Sequence, residues 1–385
     1  MVTSGSSVAV SEQISIHPPK RLLFGPGPTQ VHPRVYEAIA QQVVGHLDPY
    51  FFEISSANQR MLRNVFATQN HLTFVISGTG SAGMEAAITN FVDPESKVAV
   101  LANGYFCDRM TEMAKRQGAN VVRFEKPWGE FFAVDEATEF IRREKPNVVM
   151  YVMAETSTGV FERGEAFCQA AHEVGAIVIA DCVTSLGAMP VEIDKTGIDV
   201  SYSCTQKGLS CPPGLSPMTV SPRAAELLKT RTKPPRTWYL DIGLIADYLL
   251  ESHRYHHTAS ASLFYALHEG LTLIEEEGLQ QRCERHRQAH LQFVKAIEGM
   301  GLQMHVPEGH RIWNLNTVRV PEGVDEAKVR STLLNEHGIE IAGGFGPLAG
   351  KIFRIGLMGP LATPEHVGDF LDKFSGALKK AGYKG

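Results

Sequence analysis

Short apolar runs alternate with longer amphipathic stretches through the first half of the chain. Leu72–Ile76, Lys97–Ala102, Asn120–Arg123, Asn147–Met153, Ala176–Ala180 and Asp199–Cys204 have the length and β-branched content of buried strands. Between them, Met84–Phe91, Tyr105–Arg116, Val134–Glu144 and Glu165–Val174 carry apolar residues at helical spacing. Strand followed by helix, repeated, predicts an α/β fold whose mostly parallel sheet is covered on both faces. Ligands of such sheets gather at the carboxyl ends of the strands. Five polar segments fall at those ends: Thr79–Ser81, Asn103–Phe106, Thr156–Thr158, Asp181 and Lys207.

The flanks read differently. Residues 1–20 show no helical period, and Pro18-Pro19 ends them as an arm. Gly25-Pro26-Gly27-Pro28 follows as a rigid turn, because proline removes the amide donors that a phosphate loop needs. Helical spacing covers Arg34–Gln42 and Tyr50–Thr68, on either side of a break at Gly45-His46. Past the sheet region, Ser221-Pro222 is a capped helix start. Trp238–Leu250 and Leu263–Glu277 are helical by pattern, with Glu275-Glu276-Glu277 expected as a solvated helix end. A long helix over Leu279–Met300 opens a smaller unit with strands near Thr317–Val320 and Lys351–Leu357 and a helix at Glu326–Glu336. Lys379–Gly385 reads as a solvated tail. The expected division is an arm over 1–20, a large domain over 21–277 and a small α+β domain over 278–385.

Composition narrows the class. With 43% hydrophobic and 21% charged residues, the 385-residue chain has the make-up of a globular protein. A net charge of −5 without a basic run gives no electrostatic case for nucleic acid. No stretch is long and apolar enough to span a membrane, and no signal peptide or peroxisomal ending is read. Six cysteines without a C-x-x-C pair suggest neither zinc nor a disulfide framework, so a cytoplasmic location is expected.

The chemistry centres on Lys207. A lysine desolvated at the end of a buried strand loses amine basicity, and its neutral form can make a Schiff base; a lysine just past a strand can also be a plain surface residue. Asp181 follows an entirely apolar strand and needs a partner, for which a protonated pyridine nitrogen or a helix N-terminus would serve. Ser77-Gly78-Thr79-Gly80-Ser81-Ala82-Gly83 is a strand–turn–helix junction suited to a phosphate. It matches G-x-G-x-x-G, but the next strand ends in Asn103 rather than an acid, which favours a lone phosphate over a dinucleotide. Arg354, amid apolar residues, is a candidate bidentate anchor for a carboxylate. A phosphate cradle, a buried acid, the aromatic Phe106, a lysine and an arginine are together what pyridoxal phosphate uses in transamination. Tyr255-His256-His257-Thr258 is a polar knot whose adjacent histidines do not suit a metal.

These segments resemble the class V aminotransferases of fold type I, and within them the alanine–glyoxylate (serine–pyruvate) branch. The resemblance runs from Leu22 to about Leu371, through Phe24–Pro28, Ser77–Gly80, Glu155–Gly159, Ser203–Lys207, Tyr255–Thr258 and Arg354–Leu357. It implies a mostly parallel seven-stranded sheet in the large domain. It implies that Lys207 bonds pyridoxal phosphate, that Asp181 pairs with the ring nitrogen, and that Val183 and Phe106 flank the ring. Thr79, Gly80, Ser81 and Gln206 would hold the phosphate, and Thr156 the phenolic oxygen. Tyr255 and Thr258 would reach the neighbouring subunit's phosphate in a homodimer. Arg354 would bind the substrate carboxylate, and Gly25 and His46 would restrict the side chain to small donors such as alanine or serine, with glyoxylate as acceptor. Ureidoglycine or hydroxykynurenine as donor, and a non-catalytic cofactor-binding protein, are the alternatives. Cysteine desulfuration is disfavoured, because no cysteine follows Cys283.

Overall fold

The computed structural model describes residues 16–385. Most of the expected arm therefore lies outside the described residues; 16–20 have no regular structure. Seven strands form the main sheet: β1 (Leu72–Ser77), β2 (Lys97–Ala102), β3 (Asn120–Glu125), β4 (Val148–Val152), β5 (Ile177–Asp181), β6 (Val200–Tyr202) and β7 (Leu215–Val220). Their order is β1-β7-β6-β5-β4-β2-β3. β7 runs antiparallel to both its neighbours, and every other pair is parallel.

β7 is the strand that pattern reading passes over. Its sequence Leu-Ser-Pro-Met-Thr-Val is fully buried, yet it is half polar and carries Pro217 in a central strand, where proline is disfavoured. Pro217 is tolerated because its carbonyl accepts from Ser203 N–H at 2.8 Å and no donor is asked of its nitrogen. The strand interiors β2, β4 and β5 pack as the floor of one large apolar core with Phe51, Phe66, Phe74, Phe264 and Tyr248 from the surrounding elements.

The second core lies in the C-terminal unit. There β8 (Leu315–Arg319), β9 (Ala342–Gly343) and β10 (Ile352–Gly356) make a three-stranded antiparallel sheet in the order β8-β10-β9. Phe293, Phe353, Phe370 and Phe374 fill it. Phe24 joins them, 4.8 Å from the Phe370 ring, and Leu22-Leu23 pair with Ile339-Glu340. The first described apolar residues thus belong to the packing of the C-terminal unit, not to the large core, as a domain start at residue 21 had supposed.

Three local expectations are corrected. The helix expected from Trp238 begins at Ile242, where Asp241 accepts from the Gly243 N–H at 2.9 Å as its N-cap. A further helix spans Pro364–Lys380, and the chain end is docked rather than solvated: Ala381 is buried and Tyr383 Oη donates to Met300 O. The three glutamates of 275–277 are ion-paired: Glu275 with Arg60, Glu276 with Arg34, and Glu277 with both Arg282 and Arg285. Arg282 is buried, and its remaining donors reach Gly187 O and Gly208 O, so this cluster ties the loop that follows Lys207 to the start of the long helix.

Candidate active site

A cleft of about 570 Å³ opens at the carboxyl edge of the main sheet. It is lined by Thr79, Gly80, Ser81, Phe106, Thr156, Asp181, Val183, Gln206 and Lys207, all expected from the sequence, and by Arg109 and Thr184, which were not. Each reaches it because strand ends and helix starts meet on one edge of a parallel sheet.

Helix α1 (Gly80–Phe91) starts at the cleft. The N–H groups of Ala82 and Gly83 turn back to Thr79 O, which leaves those of Gly80 and Ser81 without a helical acceptor at the positive end of the helix. Glycine is needed at 80 and 83 for close approach. A β-carbon at Gly80 would stand 3.1 Å from Cys204 Cβ, and one at Gly83 would stand 2.0 Å from Ser216 Oγ.

Asp181 ends β5 with 2% of its surface exposed. Burial raises its carboxyl pKa to about 6, against the pull of the Val183 N–H and the Tyr202 phenol, which donate to it at 2.8 and 2.9 Å. Burial likewise lowers the Lys207 amine; the Cys204 thiol and Asp181 oppose this and the Arg354 charge adds to it. Its Nζ donates to Pro26 O. The Gly-Pro turn of 25–28 is therefore a wall against the lysine, with Gly27 at φ +120° and no room for a side chain there.

Helix α2 (Tyr105–Arg116) presents Phe106. The buried Glu155 fixes both this helix and the loop carrying Thr156. One of its oxygens accepts from Phe106 N–H at 3.0 Å; the other accepts from Ser157 N–H at 3.0 Å and Ser157 Oγ at 2.5 Å. Desolvation holds its pKa up at about 7 against these donors. Asn103, expected near the cleft, turns instead to Glu130 O and Glu162.

Arg354 sits on β10, 8% exposed. Its guanidinium donates to Gly343 O at 2.8 Å and Thr156 O at 3.3 Å and lies 4.3 Å over the Phe345 ring. Burial lowers its pKa to about 10, so it remains a cation. It joins the C-terminal unit to the Thr156 wall of the cleft without lining the cleft itself.

Gly25, His46, Tyr255 and Thr258 stand outside the cleft of their own chain. Gly25 is buried against the end of β10, where a β-carbon on Gly356 would meet Gly25 O at 2.0 Å. His46 packs 5.1 Å from the Tyr255 ring; Tyr255 and Thr258 are exposed. Between them the two histidines form a chain whose direction one carbonyl fixes. Trp238 O accepts from His256 Nε2 at 3.1 Å, so in neutral His256 the proton is on Nε2 and Nδ1 accepts. His257 Nδ1 then donates to it at 2.8 Å, and His257 Nε2 accepts from Ser77 Oγ at 2.6 Å. Burial keeps His257 neutral, with a pKa of about 4. The exposed Tyr255–Thr258 segment is thereby anchored to Ser77, two residues before Thr79.

Pyridoxal phosphate fits these residues. Gln206 Oε1 is buried in the cleft wall with no hydrogen-bond partner, and the start of α1 has donors to spare. Lys207 and Asp181 face one cavity of a size ordinary for a cofactor. The fold and cleft define a pyridoxal-phosphate-dependent transferase. Residues 21–352 match the family model described as Aminotransferase class-V, and the chain belongs to that family of pyridoxal-phosphate enzymes, which act on amino acids and 2-oxo acids.

Its relatives agree. The chain is 37% identical to (S)-ureidoglycine–glyoxylate transaminase of Bacillus subtilis, over 91% of this chain and 88% of that one. It is 35% identical to alanine–glyoxylate aminotransferase of Rattus norvegicus, over 97% and 90%. The crystal structure of alanine–glyoxylate aminotransferase from Nostoc sp. superimposes with a TM-score of 0.93 at 42% identity, over 97% of this chain and 100% of that one.

Proposed function

We propose that the protein moves the amino group of L-alanine, or of L-serine, to glyoxylate, giving pyruvate or hydroxypyruvate and glycine. The observation that carries the reading is the meeting of Lys207, whose basicity burial lowers, with Arg354, a buried cation close enough to lower it further. A base and a carboxylate anchor at that separation suit a small α-amino acid.

The residue roles follow the chemistry. Bound pyridoxal phosphate supplies a carbonyl for the amine and a ring that withdraws electrons. Lys207, as the neutral amine, is the nucleophile for that carbonyl; when free, it takes the donor's α-proton at Nζ and gives it back. Asp181, as the anion, holds a proton on the ring nitrogen. Phe106 and Val183 bracket the ring, and Thr156 serves the phenolic oxygen. Thr79, Gly80, Ser81 and Gln206 hold the phosphate. Arg354 fixes the substrate carboxylate. Phe345 lies beneath Arg354 and packs edge-on to Tyr105 at 4.9 Å, an aromatic wall that favours a short side chain.

The homodimer belongs to the same proposal. Tyr255 is 57% exposed, and neither it nor Thr258 lines its own cleft, as residues that serve a neighbouring subunit's phosphate would be. Sedimentation velocity should return twice the 42.3 kDa chain mass; a monomer would remove Tyr255 and Thr258 from the site.

The deciding experiment follows the visible band of the bound cofactor. L-alanine should bleach it and glyoxylate restore it. A band that ignores alanine and serine but is bleached by ureidoglycine moves the donor to that compound. Lys207→Ala should abolish turnover; retained turnover would overturn the role of the lysine.

A further inference from the structure

The charges of the cleft do not balance with the residues considered so far. Its lining holds three charged side chains: Lys207, Asp181 and Arg109. In the proposed reaction Lys207 is committed to the cofactor carbonyl and Asp181 to the ring nitrogen. The phosphate, a dianion near neutral pH, is left with neutral donors from Thr79, Ser81 and Gln206, the helix end and Arg109.

Arg109 is free for that task. It lies on α2 one turn after Phe106, and its Nη1 donates to Ser81 Oγ at 3.0 Å, at the tip of α1. The acids of its own helix are taken: Asp108 pairs with Arg123 and Glu112 with Arg116. Among the described residues Arg109 makes no ion pair. Its guanidinium carbon instead lies 4.8 Å over the Phe106 ring and 5.2 Å over that of Tyr105, which sets the plane of the fork while leaving donors unused. Beside it, Gln206 Oε1 is a second polar group without a partner. An unpaired guanidinium held against a helix N-terminus suits a phosphate better than any other part of the cofactor.

We propose that Arg109 is the chain's own counter-charge for the cofactor phosphate, and that it couples phosphate binding to the placement of Phe106. The inference rests on the functional reading above and adds to it a residue outside the phosphate set read from the sequence.

The test titrates cofactor-free protein with pyridoxal phosphate and, separately, with pyridoxal, which lacks the phosphate, following the visible band. Arg109→Gln should weaken pyridoxal phosphate about 10- to 100-fold, as loss of a charged hydrogen-bond partner does, and leave pyridoxal nearly unchanged. Arg109→Lys should recover part of the loss by keeping the charge. Inorganic phosphate should compete with pyridoxal phosphate for wild type at lower concentration than for Arg109→Gln. Equal weakening of both compounds would make Arg109 a structural prop for Ser81 and Phe106 and overturn the inference, as would no change in either. If Arg109→Gln does not fold, the ratio of the two affinities in Arg109→Lys decides: an unchanged ratio with both affinities reduced overturns it. Wild-type protein that takes up neither compound would instead sink the functional reading itself.

Discussion

The Tyr202 phenol donates to Asp181 Oδ2 at 2.9 Å, from the strand next to the one that Asp181 ends. The bond joins two fully enclosed side chains, and it favours the charged carboxylate in a place where burial has already raised the pKa to about 6. Removing the donor in Tyr202→Phe raises that pKa further. Because the ring nitrogen needs the anion, the acid limb of kcat/KM should move to higher pH, with turnover recovered on the alkaline side. A pH–rate profile of the two proteins checks this; an unmoved acid limb would show that Asp181 does not control it.

Gly27 tests the wall opposite. A β-carbon there would stand 2.5 Å from Lys207 Nζ, and φ is +120°, a backbone that alanine adopts only with strain of about 1–3 kcal/mol. The lysine tip can swing aside, so the fold should survive Gly27→Ala. The chemistry should not: turnover should drop by more than tenfold while circular dichroism stays native.

Glu155 serves the site without touching it. Its four acceptor contacts come from Ser157 N–H, Ser157 Oγ, Phe106 N–H and, weakly at 3.7 Å, Cys107 Sγ. Gln at this position must set an amide N–H against a donor on one side. Urea unfolding at pH 8, where the carboxylate is ionised, should show a loss of about 1–3 kcal/mol, the cost of a buried group left unsatisfied.

Acid stability should carry the mark of His286. Its Nδ1–H donates to Arg282 O at 2.8 Å and its Nε2 accepts from Gly359 N–H at 3.0 Å, so the native ring is neutral. Burial lowers its pKa to about 3, below the 6.5 of the unfolded chain. Its contribution is complete above pH 6.5 and falls as acid protonates the unfolded form in preference. Buried Glu155, Glu162 and Asp181, with raised pKa values, act in the opposite sense, so the comparison must be with a variant. The destabilisation caused by His286→Leu should shrink by about 1 kcal/mol between pH 7 and pH 5.5. A difference that stays constant would mean the native ring is protonated.

Much of this was legible in the chain itself. Apolar runs of the right length forced β1, β2, β4 and β5 into a covered parallel sheet, and polar residues at their carboxyl ends had to share one edge. That reasoning needs only the period of a strand and the hand of a crossover, both properties of local sequence. It reached Thr79, Phe106, Thr156, Asp181 and Lys207 by position alone. It did not reach β7, because Pro217 in a half-polar run contradicts every strand signal and only the pairing with β1 and β6 makes it tolerable. Nor did it reach Arg109 or Glu155. An arginine inside an amphipathic helix reads as a solvated face, and a glutamate at a loop start reads as exposed. The tertiary structure decided otherwise: the packing of α2 against the tip of α1 turned Arg109 into the cleft, and enclosure of the Glu155 loop made its carboxylate the acceptor for two separate backbone segments. Sequence sets which residues lie at a strand's end; which charges find a partner there depends on neighbours far along the chain, and so on packing.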